Sequence, residues 1–367
     1  MIIAKWFKQE KYLLVALAIA VAAYVGEHSI LEMGQGAAMV AAAALIATIV
    51  LASMRVAHHA ETLAVKVGDP YGTMILTLSA VAVEVIILAI MMSGESSPTL
   101  VRDTIYAAVM LDINGILGLA ALLGGLKHGE QPYNDDSSRT YGVMILTAMG
   151  ISMIVPEFIP DAKWHYYSAF TIVAMIALYA LFLRMQVGKH SYFFSYSYPR
   201  TEKKLAAADD EEHHDEESTT TSIVTILIGV VLIGALAEFM SAFMDTGLRG
   251  TGAPPAIAAI VVAAISAAPE ILTALRAALR NRMQATVNIA LGASLSTVIL
   301  TVPVMEAIAL YTGQPFIMAM SPVQTVMVMI TLIVAAINLN DGETNAIEGM
   351  THFILFATFI MLTALGL

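Results

Sequence analysis

An all-α polytopic membrane protein of about eleven transmembrane helices is the fold class this sequence predicts, and three observations predict it. Hydrophobic residues fill 58% of the 367 positions and charged residues only 13%, with a mean hydropathy of +0.78, a composition foreign to soluble domains. Apolar windows bounded by charge, Gly or Pro clusters fall at about 12–26, 36–54, 70–93, 104–125, 140–158, 166–185, 222–244, 256–279, 284–311, 322–338 and 350–366, and each is read as one helical crossing of a bilayer. Eleven spans place fifteen of the eighteen Lys and Arg residues on one side and only Arg102, Lys163 and Arg249 on the other. One missed helix would scramble that partition. Basic residues favour the cytoplasmic face, so the N-terminus is expected inside and the C-terminus outside.

The first window follows Lys5, Lys8 and Lys11 and lacks an Ala-x-Ala cleavage pattern. Residues 1–30 therefore read as an uncleaved leading helix. Five windows fill residues 31–188, a cytoplasmic loop occupies 189–221, and five more windows fill 222–367. The two halves agree in outline. Ala60-Glu61 precedes a turn at Gly68-Asp69-Pro70 and the window holding Glu84, while Ala237-Glu238 precedes a turn at Gly250 to Pro255 and the window holding Glu270. An odd number of helices per half makes the second copy enter the membrane in the opposite direction, the inverted-repeat architecture of many secondary transporters. The ninth window is long enough to be tilted, or broken at Pro303.

Glu84 and Glu270 are the candidate functional residues. A charged side chain near the bilayer centre costs roughly 2.5–3.5 kcal/mol or more, so it needs a reason to be there. Two facing carboxylates match the charge of one divalent cation, and they are balanced by that cation or by protons but not by both. Such a site is an antiporter's coupling element. Oxygen ligands suit hard cations, calcium above all, and with zero cysteines there is no thiolate for a softer metal.

Further candidates surround the pair. Ser294, Ser296 and Asn288 could lend hydroxyl and amide oxygens to the cation, or could only pack helices. Asp112 and Asn114 occupy the fourth window, the matching element of the first half, and either line a path or bond helix to helix. Glu61 and Glu238 lie at the membrane margins, where a solvated carboxylate is ordinary. The run Asp209, Asp210, Glu211, Glu212, His213, His214, Asp215, Glu216 and Glu217 reads either as a solvated tether or as a cation-collecting, pH-responsive regulatory element. It also accounts for much of the net charge of −11, which leaves nucleic acid without a basic surface to meet.

The residues also carry a resemblance. Gly68-Asp-Pro-Tyr-Gly72 leading to Glu84, Ser97-Pro-Thr-Leu-Val-Arg102-Asp103, the acidic His-containing loop, and Ala268-Pro-Glu270 with Leu291-Gly-Ala-Ser294 resemble the bacterial calcium/proton antiporters of the ChaA type, within the cation/calcium exchanger superfamily. The resemblance runs from about residue 10 to the end. It implies one helix plus two inverted five-helix repeats, an acidic cytoplasmic segment between them, and cation binding by Glu84 and Glu270. The chain departs from the family where Gly-Asn often precedes each glutamate: those places hold Ala80-Val81 and Ser266-Ala267.

The expectation is a proton-coupled cation antiporter of the bacterial inner membrane, exporting calcium from the cytoplasm by alternating access. Sodium/proton or potassium/proton exchange on the same scaffold is the alternative. Its partners are inorganic cations and the lipid bilayer, with no cofactor and no nucleic acid, and the sequence carries no signal of oligomeric state. A passive channel lacks a pore-lining ring here, and an intramembrane hydrolase lacks a nucleophile with its base, so no enzyme activity is expected.

Overall fold

The computed structural model describes residues 10–67, 71–93, 97–187, 218–254, 256–314 and 316–367. Among them run eleven helices: α1 Lys11–Glu32, α2 Gln35–Val67, α3 Tyr71–Ser93, α4 Leu100–His128, α5 Asp135–Phe158, α6 Trp164–Val187, α7 Thr219–Leu248, α8 Ala256–Leu279, α9 Met283–Thr312, α10 Pro322–Asn338 and α11 Ala346–Ala364. Nine described stretches are long and apolar enough to cross a membrane, and shorter apolar stretches at Thr77–Ser93 and Pro322–Asn338 complete the set.

The largest departure from the apolar windows is α2, which continues to Val67 although its window closes at 54. The polar residues beyond that point are not a loop. Arg55 and His59 turn inward and bind the buried carboxylate of Glu10 just ahead of α1, so charge pairing carries the helix through a stretch whose hydropathy falls. Pro322 at the first turn and a reciprocal Ser321–Gln324 capping box start α10. Asn345 caps α11 through the amides of Ile347 and Glu348, starting that helix at Ala346 rather than near 350.

Two helices form the centre. Buried residues make up 78% of the apolar window of α4 and 67% of that of α9, against at most 44% in the other long helices. Each carries a π-helical stretch, Met110–Leu117 in α4 and Thr297–Thr301 in α9, a widened turn that recurs at functional sites. The widening also explains why Pro303 does not break α9. Its ring lacks an N–H and crowds the carbonyl four residues back, and the wide turn directly before it absorbs that conflict.

Packing around this centre comes in matched pairs: α11 lies on α4 as α6 lies on α9, α8 crosses α4 as α3 meets α9, and α2 packs along α7. Small residues permit the close approaches. A Cβ built on Gly349 of α11 would sit 2.1 Å from the Leu122 backbone nitrogen of α4. A two-residue antiparallel pairing of Gln131–Pro132 with Glu343–Thr344 clips the α4–α5 loop to the α10–α11 loop.

Candidate cation site

Glu84 and Glu270 come from α3 and α8, the helices that flank the central pair. Glu84 is 2% exposed. Its Oε2 accepts the hydroxyls of Thr297 (3.1 Å) and Thr301 (3.4 Å), both in the π stretch of α9, while Oε1 is sealed without a partner. Glu270 follows Pro269 inside α8, where the missing proline N–H leaves the Ile265 carbonyl without its usual helical donor. Its Oε2 is likewise buried and unpartnered. An orphaned carboxylate oxygen inside a membrane protein is costly, and each member of the predicted pair carries one.

Asp112 joins them. It lies in the π stretch of α4, 2% exposed, and its Oδ2 accepts the hydroxyl of Ser294 at 3.1 Å. Glu84, Glu270 and Asp112 lie within electrostatic reach of one another in all three pairings. Among the described residues, no three acidic or imidazole groups stand at metal-ligand spacing in this conformation. The three carboxylates are neighbours, not yet a closed cage.

A cavity of about 620 Å³ leads to one of them. Glu270, Ser79, Ser266, Asn288 and Ser296 line it, and so do His58, Glu61 and Arg276 at the ends of α2 and α8. Glu84 does not. The cavity therefore reaches the site from the end of the molecule where Arg276 lies, and stops before Glu84.

The remaining candidates separate by surroundings. Ser296 lines the cavity while its hydroxyl bonds back to the Gly292 carbonyl at 2.8 Å. Asn288 also lines it and accepts from Gln284 Nε2 at 2.9 Å. Asn114 is engaged between helices, donating to Thr331 Oγ1 of α10 (2.7 Å) with its Oδ1 2.9 Å from His352 Nδ1 of α11. Glu61 is exposed at the cavity wall and Glu238 is exposed elsewhere. The acidic run 209–217 and the Gly68-Asp69-Pro70 turn lie outside the described residues.

Thr297 and Thr301 escaped the sequence reading, because hydroxyls in apolar helices usually bond their own backbone. Their four-residue spacing, which stacks both on one helix face, was the signal available. Glu306, buried in α9 against Ser168 and Thr171 of α6, was missed outright.

The model of the sodium/calcium exchanger protein family matches residues 37–188 and 221–365, most of the chain and both halves of it. The chain belongs to the sodium/calcium exchanger family. It is therefore a multi-pass membrane protein of a transporter family and not an enzyme. The sodium-potassium/proton antiporter ChaA of Escherichia coli (strain K12) is 32% identical over 316 residues, covering 85% of this chain and 86% of the relative. The calcium/proton antiporter ChaA of Bacillus subtilis (strain 168) is 24% identical over 322 residues, covering 86% and 88%. In fold, the chain is similar to the solved structure of native YfkE, with a TM-score of 0.76 and 18% identity over 96% of this chain and 99% of that one.

Proposed function

We propose that the protein is a proton-coupled cation antiporter in which Glu84, Glu270 and Asp112 hold either a cation or protons. The observation that carries this reading is the pair of buried, unpartnered oxygens, Glu84 Oε1 and Glu270 Oε2, flanking a third carboxylate. Each is satisfied by a cation or by its own proton, and an exchange of one for the other is antiport.

In this conformation the cavity admits a cation to Glu270, with the Asn288 amide and the Ser296 hydroxyl on the way. Glu84, bonded to α9, waits beyond. Closing the site brings Glu84 and Asp112 onto the ion, and opening the opposite face releases it while protons take its place. The matched packing of the two halves around α4 and α9, together with the family match on both halves, supports two inverted five-helix repeats behind α1 as the rocking elements. The charge partition supports a cavity mouth at the cytoplasmic face of a bacterial inner membrane, the orientation in which the exchange exports the cation. No cofactor takes part.

Three carboxylates and hydroxyl oxygens suit calcium. Sodium or potassium is the second reading, favoured by the 32% identical relative, whose name carries those ions, and by the absence of an amide side chain beside either glutamate. Everted vesicles holding an imposed proton gradient test both. Added calcium is expected to collapse the gradient, and sodium or potassium doing so in its place identifies the second reading. Glu84→Gln and Glu270→Gln should each abolish the response; cation-dependent proton movement intact in both variants overturns the coupling. Cation flux that never moves protons makes the protein a channel.

A further inference from the structure

Glu306 lies on α9 five residues beyond Thr301, past the last α9 residue lining the cavity, Ile299, and so on the far side of the site from the cavity mouth. It is 2% exposed. Ser168 of α6 donates to its Oε1 at 3.3 Å, and Thr171 Oγ1 of α6 contacts its Oε2. The hydrogens within reach favour the neutral acid. The Thr171 hydroxyl carries one hydrogen and has three acceptors in reach: the Tyr167 carbonyl at 3.3 Å, the Ser168 carbonyl at 2.9 Å, which can only accept, and Glu306 Oε2. With that hydrogen given to the Ser168 carbonyl, the contact with Glu306 needs a hydrogen from the carboxyl itself. A neutral acid that accepts from Ser168 and donates to Thr171 satisfies every partner. An ionised one would be buried against hydroxyls with no cation facing it among the described residues. Of the other titratable groups on α6 and α9, which include His165, Tyr166, Tyr179, Arg184 and Tyr311, Tyr167 lies within electrostatic reach of Glu306, and its hydroxyl donates to the Ile151 carbonyl at 2.7 Å; α3, which meets α9, carries Glu84.

We infer that Glu306 is a second proton-binding site, separate from the cation site, whose proton-loaded form latches α6 onto α9 and keeps the face opposite the cavity shut. Loss of the proton leaves a buried charge facing Thr171, so the two helices part and water reaches the carboxylate from that face. The latch rests on the antiporter reading, since it times the opening through which the cation leaves. Glu84 has the contrary arrangement. No other acceptor takes the hydroxyls of Thr297 and Thr301 among the described bonds, so they are free to donate to it.

The test uses the full chain in liposomes, with calcium/proton antiport followed as the pH on each side is varied, and infrared spectra recorded through the same titration. Glu306→Gln keeps the shape and the hydrogen bonds to Ser168 and Thr171 but cannot gain or lose a proton. It is expected to remove one titrating carboxyl C=O band, to slow turnover about tenfold, and to erase the dependence on pH at the face opposite the cavity. Glu306→Asp, which retains a carboxyl, should keep a titrating band and recover part of that dependence. An unchanged band or an unchanged pH profile in Glu306→Gln overturns the latch. Failure of the antiporter reading looks different: wild-type protein moves no protons against calcium, while the Glu306 band still titrates.

Discussion

Ser294 Oγ stands 3.1 Å from Asp112 Oδ2, and this contact ties the π-helical stretch of α4 to α9 beside both intramembrane glutamates. The third carboxylate adds a negative charge to a site that two glutamates would already balance against one divalent ion. Asp112→Asn keeps an oxygen for Ser294 and removes the charge. Apparent calcium affinity should fall about tenfold, equivalent to about 1.4 kcal/mol, while a monovalent cation loses less because it needs less charge. Vesicle titrations with calcium, sodium and potassium measure the ratio, and equal losses for all three would assign Asp112 to packing.

Thr297 and Thr301 present two hydroxyl donors to Glu84 Oε2, an arrangement that stabilises the carboxylate whenever it is ionised on a bound cation. Hydrogen bonds to charged groups contribute roughly 1.5–3 kcal/mol each. Thr297→Val with Thr301→Val should therefore weaken calcium coupling by at least about tenfold, with Ser at both positions restoring it. A valine pair that transports like the wild type would mean that the ion itself supplies all the stabilisation Glu84 needs.

The span count and the glutamate pair were legible because each imposes a strong, local signature: a long apolar window, a lopsided distribution of Lys and Arg, a charge where none belongs. Asp112 was legible as a candidate but not as Ser294's partner, since that contact joins residues 182 apart in sequence. Glu306 hid for a related reason. It lies five residues from the end of its window and reads as a solvated margin residue until α6 is folded over it. Likewise α2 outran its window because Glu10, 45 residues from Arg55, supplies the pairing that lets polar residues stay helical and buried. Side-chain chemistry chose the candidates; only tertiary packing assigned their partners.

The seam between α4 and α11 should be intolerant of even one methyl group. A Cβ at Gly349 would meet backbone atoms of Leu122 at 2.1 Å and Ala121 at 2.7 Å, and a helix backbone cannot rotate aside as a side chain does. Gly349→Ala should lower stability by about 1–3 kcal/mol, seen as a reduced thermal midpoint in detergent. Gly142→Ala, where a Cβ meets nothing within 4 Å, is the matched control and should stay within about 0.5 kcal/mol of wild type.

Acid stability should depend on Glu10. Its carboxylate takes Arg55 Nε at 2.8 Å and Nη2 at 2.5 Å, with His59 Nε2 at 3.0 Å, and His59 Nδ1 reaches Ser222 at the start of α7, so one buried group joins three helices. Burial alone would push the carboxyl up, but the hydrogen bonds and charges of Arg55 and His59 outweigh it and hold Glu10 down at about 2, below its ordinary 4.5. A carboxyl depressed on folding contributes stability that is fully present above its unfolded value. That contribution drains away as the pH falls from about 4.5 toward 2. Thermal midpoints in detergent should therefore drop across that window in the wild type and drop less in Glu10→Gln, which has no proton to take up there. Arg55→Ala at neutral pH leaves the buried carboxylate with His59 but without its guanidinium partner; breaking a buried pair typically costs about 3–5 kcal/mol, and adding Glu10→Gln should recover part of the loss. A wild-type slope that survives Glu10→Gln unchanged would place the acid sensitivity on another carboxylate.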